Sequence, residues 1–190
     1  EQGDAESARR FLTESLEIRR ELGDKQGLAQ ALNGLALVAG ALGDLSSEQS
    51  LFEESLELWR EIGYRRGVAV ALLNLGTAAL THGDRERAAR LLEESAGMLR
   101  ELGVKWDLAE CLHALGDLAL AGGDLEAASS RYVESLDVRM SLGDKRGSAE
   151  ALEALAGVAQ PADAVALFAF AHVLRDSVGA ARSDAREAAV

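Results

Sequence analysis

The sequence predicts an all-α solenoid made by stacking one helical-hairpin unit, and three observations predict it. Leu22-Gly23-Asp24, Ile62-Gly63-Tyr64, Leu102-Gly103-Val104 and Leu142-Gly143-Asp144 recur at a spacing of 40 residues. Gly43-Asp44, Gly83-Asp84 and Gly123-Asp124 keep the same period. Between these markers apolar residues fall at helical spacing twice per unit. In one unit the stripes are Ala71, Leu72, Leu75, Ala78, Ala79 and His82, then Ala88, Leu91, Leu92, Ser95, Met98, Leu99 and Leu102. A unit of this size cannot bury its apolar face alone, so its neighbours must cover it.

Residues 1–23 are expected to be the second helix of a truncated unit, carrying Ala8, Leu12 and Ser15. Residues 24–63, 64–103 and 104–143 form full units. Within each, a glycine such as Gly83 suits the left-handed residue that closes the first helix, and the following Asp84 suits the N-cap of the second. Gly103 closes a second helix likewise. Residues 144–179 form a shortened last unit, in which Pro161 replaces the Gly-Asp turn and stops the first helix by Ala159. Its second helix is expected from Asp163 to Val178, and 180–190 is expected to be a frayed tail or a broken-off further helix. Residues 1–190 thus read as one array. The chain lacks an initiating Met and opens at Gly3-Asp4, where later units have their turn, so it reads as a piece of a longer protein.

Composition narrows the partners. The net charge is −12, with acidic residues in every unit, which disfavours a nucleic-acid backbone or an anionic membrane surface. A basic or neutral partner fits better. Cys111 is the single cysteine, so no disulfide framework exists within the chain and the cytoplasm is the expected setting. No apolar run is long enough for a membrane span. No phosphate loop, activated nucleophile or metal-ligand spacing is found, so neither catalysis nor a cofactor is expected.

The first-helix phrases Leu32…Leu35-Ala36, Leu72…Leu75-Gly76, Leu112…Leu115-Gly116 and Leu152…Leu155-Ala156 resemble the tetratricopeptide repeat. So do the second-helix phrases Ala88…Leu92…Ser95 and Ala128…Tyr132…Ser135, with Glu48 standing where Ala is expected. The resemblance implies a right-handed superhelix whose first helices line a concave, partner-binding side. Helical arithmetic places Gln30, Asn33, Gly34 and Leu37 there, followed by Val70, Leu73, Asn74, Thr77 and Leu80. In the later units the same face carries Glu110, His113, Asp117 and Leu120, then Glu150, Glu153 and Gly157.

The early half is apolar and amide-bearing and the later half acidic, which fits a protein or peptide segment with apolar anchors at one end and Lys or Arg at the other. The alternative is a solvated face in an acidic protein. Asn74, in Asn-Leu-Gly, matches the place where peptide-binding arrays of this family use Asn to hold a main chain; otherwise it is an ordinary solvated helix residue. His113 and Cys111 point to different helix faces and form no ligand pair. Trp106 is expected to fold back onto adjoining helices, with an exposed partner anchor as the alternative. Open apolar ends allow self-association.

The connectors Glu21–Gly27 and Leu142–Gly147, with the end Ala166–Gly179, are similar to the carboxyl-terminal sensor arm of bacterial signal-transduction ATPases and transcription activators of the maltose-activator and antibiotic-regulator kind. That likeness implies sensing of a protein partner or a small-molecule inducer for a nucleotide switch elsewhere in a larger regulator. The alternative is a scaffold or adaptor of the cell-polarity type, whose Asn-Leu-Gly phrase only Asn74 keeps.

Overall fold

A computed structural model describes the backbone of residues 2–187 and the side chains of residues 6–178. Every element among the described residues is helical. The chain divides into two compact units, Glu1–Leu102 and Gly103–Val190.

The first unit holds α1 (Gln2–Leu22), α2 (Lys25–Ala41), α3 (Leu45–Ile62), α4 (Arg65–Thr81) and α5 (Arg85–Leu102), each packed on the next. Its core joins Ala29, Ala36, Phe52, Leu56, Trp59, Leu72 and Leu75, and Leu16 and Leu32 extend it towards α1. The small residues admit large ones opposite. A Cβ on Gly76 would collide with Leu92, and one on Gly34 would press on Leu12. Ser55 Oγ donates to the Ala29 carbonyl at 2.9 Å, and Ser95 Oγ donates to that of Ala69 at 2.8 Å. These bonds satisfy buried hydroxyls while tying each second helix to the first helix of its own repeat.

The second unit holds α6 (Lys105–Ala121), α7 (Leu125–Ser141), α8 (Lys145–Val158) and α9 (Pro161–Glu187). Ser135 repeats the same bond to Ala109 at 2.8 Å. Tyr132 fills the place of Leu92, and its ring lies where a Cβ on Gly116 would be. Ala149, Leu152 and the fully buried Ala171 join α8 to α9.

The turns follow the sequence closely. Gly23, Gly43, Gly63, Gly83, Gly103, Gly123 and Gly143 all take positive φ, the left-handed region that spares glycine a Cβ clash. Asp24, Asp44, Asp84, Asp124 and Asp144 each accept from a backbone N–H three residues on. The hydrogen bonds from Ser47 hold the Asp44 carboxyl below its usual value. Tyr64 and Val104 occupy the same position without a side-chain cap bond.

Two details at the ends differ from expectation and one agrees with it. α1 runs from Gln2, so Gly3 and Asp4 lie in its first helical turn and not in a Gly-Asp turn between helices. At the other end α8 stops at Val158, as expected, with Ala159 extended and Gln160 outside the helix just before Pro161, where a proline disfavours helical backbone. α9, however, continues through Gly179 to Glu187 where a break was expected. A helical glycine costs only about 1 kcal/mol relative to alanine, and the alanines flanking it favour continuation. Residues 188–190 lie outside the described residues.

Glu48 is accommodated in an instructive way. Its carboxylate lies where a Cβ on Gly40 would be, and Glu48 Oε2 lies 3.0 Å from His82 Nε2. The positions equivalent to Gly40 and Glu48 carry Leu80 and Ala88 in the next repeat, then Leu120 and Ala128. A small first-helix residue is thus matched by a large second-helix one, and vice versa.

Candidate functional site

On the first unit, α2 and α4 bring the expected residues together. Gln30 is exposed, Asn33, Val70 and Asn74 are half-buried, and Leu37 and Thr77 are exposed. Asn74 Nδ2 donates to Asn33 Oδ1 at 2.7 Å, a bond between the two helices. That bond leaves the amide group of Asn33 as a donor and the side-chain oxygen of Asn74 as an acceptor. Thr77 Oγ1 is turned back onto the Leu73 carbonyl of its own helix at 3.0 Å. Leu73 is only 8% exposed and belongs to the core; the helical arithmetic that placed it on the open face overlooks how closely neighbouring helices flank α4.

Beside the Asn pair lies a cleft of about 340 Å³ lined by Gln30, Asn33, Trp59, Tyr64, Arg66, Gly67 and Val70. Trp59 and Tyr64 form its aromatic wall, with ring centroids 5.3 Å apart and planes tilted by 51°. Two of these seven residues, Trp59 in α3 and Tyr64 at the N-cap of α4, escape a reading of the first helices alone, and Arg66 and Gly67 lie in the first turn of α4, ahead of the residues placed on the open face. The available signal is a change at repeat positions where Arg19 and Asp24, and again Arg139 and Asp144, stand elsewhere.

On the second unit the acidic residues are largely engaged by the chain itself. Arg139 is 3% exposed, with Nη2 2.9 Å from Glu110, Nη1 3.2 Å from Asp144 and Nη1 3.9 Å from Glu150. Arg146 also reaches Glu150 at 3.2 Å, and Arg175 reaches Glu153 at 2.7 Å. The Asp117 carboxylate accepts from the Tyr132 hydroxyl at 2.7 Å. Burial first, and then this bond and charge, push the tyrosine pKa up. The His113 ring packs against Tyr132 with centroids 5.2 Å apart and planes tilted by 50°, while its Nε2 is 3.9 Å from Asp117. The His113 Nδ1 is buried with no hydrogen-bond partner among the described residues.

Trp106 is 52% exposed, because α6 already begins at Lys105 and its first turn points the indole outward instead of back onto the helices. Cys111 is buried. Among the described residues no group of three or more His, Cys, Asp or Glu could hold a metal ion. No helix among them is long and apolar enough to cross a membrane.

The family profile described as "Tetratricopeptide repeat" matches residues 1–61 and 49–101. No curated protein sequence matches the chain. Among solved structures, BtubC (BKLC) from P. vanneervenii superposes with a TM-score of 0.73 at 22% identity, covering 97% of this chain and 76% of that one. A signal-transduction ATPase with numerous domains from Pyrococcus horikoshii, which carries a tetratricopeptide repeat sensor, gives a TM-score of 0.73 at 17% identity. It is covered over 95% of this chain, which spans only 29% of that protein.

Proposed function

The chain belongs to the tetratricopeptide repeat family, and we propose that it is a binding module that receives a protein or peptide segment along the face formed by α2 and α4. The observation that carries this reading is the Asn33–Asn74 bond. It fixes two amides side by side, and the one donor group and one acceptor they leave over are what a single peptide unit can satisfy. Around them Gln30, Leu37, Val70 and Thr77 supply further polar and apolar surface. The carboxylates of the second unit contribute less, since Glu110, Glu150 and Glu153 are already paired with Arg139, Arg146 and Arg175 respectively.

Affinity capture with the intact parent protein, followed by variants, tests this. Asn33→Ala with Asn74→Ala is expected to lower retention of the captured partner at least tenfold. Neutralising Glu110, Asp117, Glu150 and Glu153 to their amides is expected to cost less than threefold. Retention untouched by the Asn pair overturns the reading.

We further infer that the module is the sensing region of a larger cytoplasmic bacterial regulator. The likeness to the sensor-bearing ATPase supports this, as do the connector phrases at Glu21–Gly27 and Leu142–Gly147. A partner or inducer would act there by binding one state of the switch better than the other. A phosphate-binding loop in the parent, with nucleotide exchange altered by the partner, is the expected result. A parent made only of further repeats points to an adaptor instead.

A further inference from the structure

We propose that the cleft between α2, α4 and the end of α3 is a slot for one aromatic side chain of the bound segment, with Gln30 and Asn33 bonding the main chain of that residue. The inference rests on the partner-binding reading above and names what that face selects.

The repeat supplies its own controls. At Arg19 and Asp24, and again at Arg139 and Asp144, a guanidinium lies where a Cβ on Gly27 or Gly147 would be and pairs with the N-cap carboxylate, at 2.9 and 3.2 Å. Each of those seats is filled by an ion pair. At the equivalent positions Trp59 covers Gly67 and Tyr64 replaces the capping aspartate, forgoing the cap bond that five other turns make. Val104 also forgoes the cap bond, beside Leu99, but only at 59 and 64 do two aromatic residues stand in place of the ion pair, and such a departure from the local rule marks a candidate functional position.

The exchange turns a charged seat into an aromatic wall. Trp59 is 6% exposed and Tyr64 43% exposed, so the tyrosine supplies most of the accessible aromatic surface. Neither Gln30 nor the Tyr64 hydroxyl makes a hydrogen bond among the described residues, so both are available to a ligand. At about 340 Å³ the cleft is at the small end of ligand sites, suited to one side chain and its peptide unit.

Charge decides between occupants. No carboxylate lines the cleft, and its one ionic group is Arg66, so a Lys or Arg side chain finds no counter-charge there. An aliphatic side chain would gain only buried area. An aromatic ring also gains edge-to-face contact with two rings already tilted to each other.

The test uses the full chain labelled with nitrogen-15 and titrated with the N-acetyl amides of phenylalanine, leucine and lysine. The phenylalanine derivative should shift the Trp59 indole N–H and the Gln30 and Asn33 side-chain amides saturably. Its dissociation constant should be at least fivefold below that of the leucine derivative, with no saturable response to lysine. Trp59→Arg with Tyr64→Asp installs the pair found at Arg19 and Asp24, so it should keep the fold, checked by circular dichroism, and lose the response. Gln30→Ala, at an exposed position, should weaken phenylalanine binding at least threefold and does not depend on that double variant folding.

Equal binding of leucine, or a folded double variant that still responds, overturns the slot. In partner capture, a folded Trp59→Arg, Tyr64→Asp variant that retains partner, while the Asn33, Asn74 variant loses it, sinks the slot and leaves the binding face standing. Retention by both variants sinks both.

Discussion

At the scale of single residues, one tight constraint in the second unit is Tyr132 over Gly116. A ring cannot fold away as a flexible chain end does, so Gly116→Ala forces the buried Tyr132 ring and its bond to Asp117 to move. Overpacking of this kind costs about 2 kcal/mol, which for a chain of this length lowers the melting temperature by about 4–8 °C. Gly27→Ala should cost less than Gly147→Ala, since both displace an arginine but Arg19 is partly exposed whereas Arg139 is buried and also serves Glu110. Equal melting temperatures for those two variants would contradict the assignment.

Tyr132 also predicts a pH dependence. Its folded-state pKa lies above the unfolded value, so the folded state holds this proton more tightly. The resulting stability is fully present below about pH 10 and is lost as pH rises through the folded pKa. Tyr132→Phe removes one hydrogen bond, about 1 kcal/mol at neutral pH, and should flatten the alkaline decline in urea melts taken from pH 8 upward. A decline of unchanged steepness would assign it to other groups.

At the scale of helices, the Gly40–Glu48 exchange shows how one seat is filled in two ways. In α2 and α3 the space takes a second-helix carboxylate beside His82, and the equivalent positions of the later repeats pair a leucine with an alanine. Gly40→Leu alone drives a side chain into the Glu48 carboxylate, and Glu48→Ala alone leaves a void and an unpartnered His82. Made together, they recreate Leu80 with Ala88, and leucine also gains about 0.8 kcal/mol or more of helix propensity over glycine. The double variant still leaves His82 without Glu48, but it fills the void and removes the clash, so it should be more stable than either single variant, with a coupling energy of about 1–3 kcal/mol in a double-mutant cycle. Additive costs would show that the two positions do not share one space.

At the scale of the molecule, the period of 40 made the helix pairs, their glycine closures, their aspartate caps and the face shared by Gln30, Asn33, Val70 and Asn74 legible in the sequence. Those features are local, fixed by spacing along one helix or across one turn. What periodicity could not reveal depends on the second helices and connectors: the burial of Leu73, the aromatic wall of Trp59 and Tyr64, and the capture of Glu110 and Glu150 by Arg139. Residues that differ between repeats carry that information, and their consequences appear only when both members of a pair are seen together, as with positions 19 and 24 against 59 and 64. Charge has the same two scales. The net charge of −12 repels itself over long distances, while pairs such as Arg20 with Glu54, Lys25 with Glu61 and Arg65 with Glu101 act at contact range. Those pairs are half exposed and each contributes less than about 1 kcal/mol. Raising ionic strength from about 0.01 M to 0.15 M shortens the screening length from about 30 Å to 8 Å. That range screens the long-range repulsion and largely spares contacts near 3 Å, so repulsion should be the term that is lost. The melting temperature is accordingly expected to rise by a few degrees across this range and then level off. A steady fall with added sodium chloride would mean that the contact pairs, and not the acidic excess, dominate the electrostatics of the array.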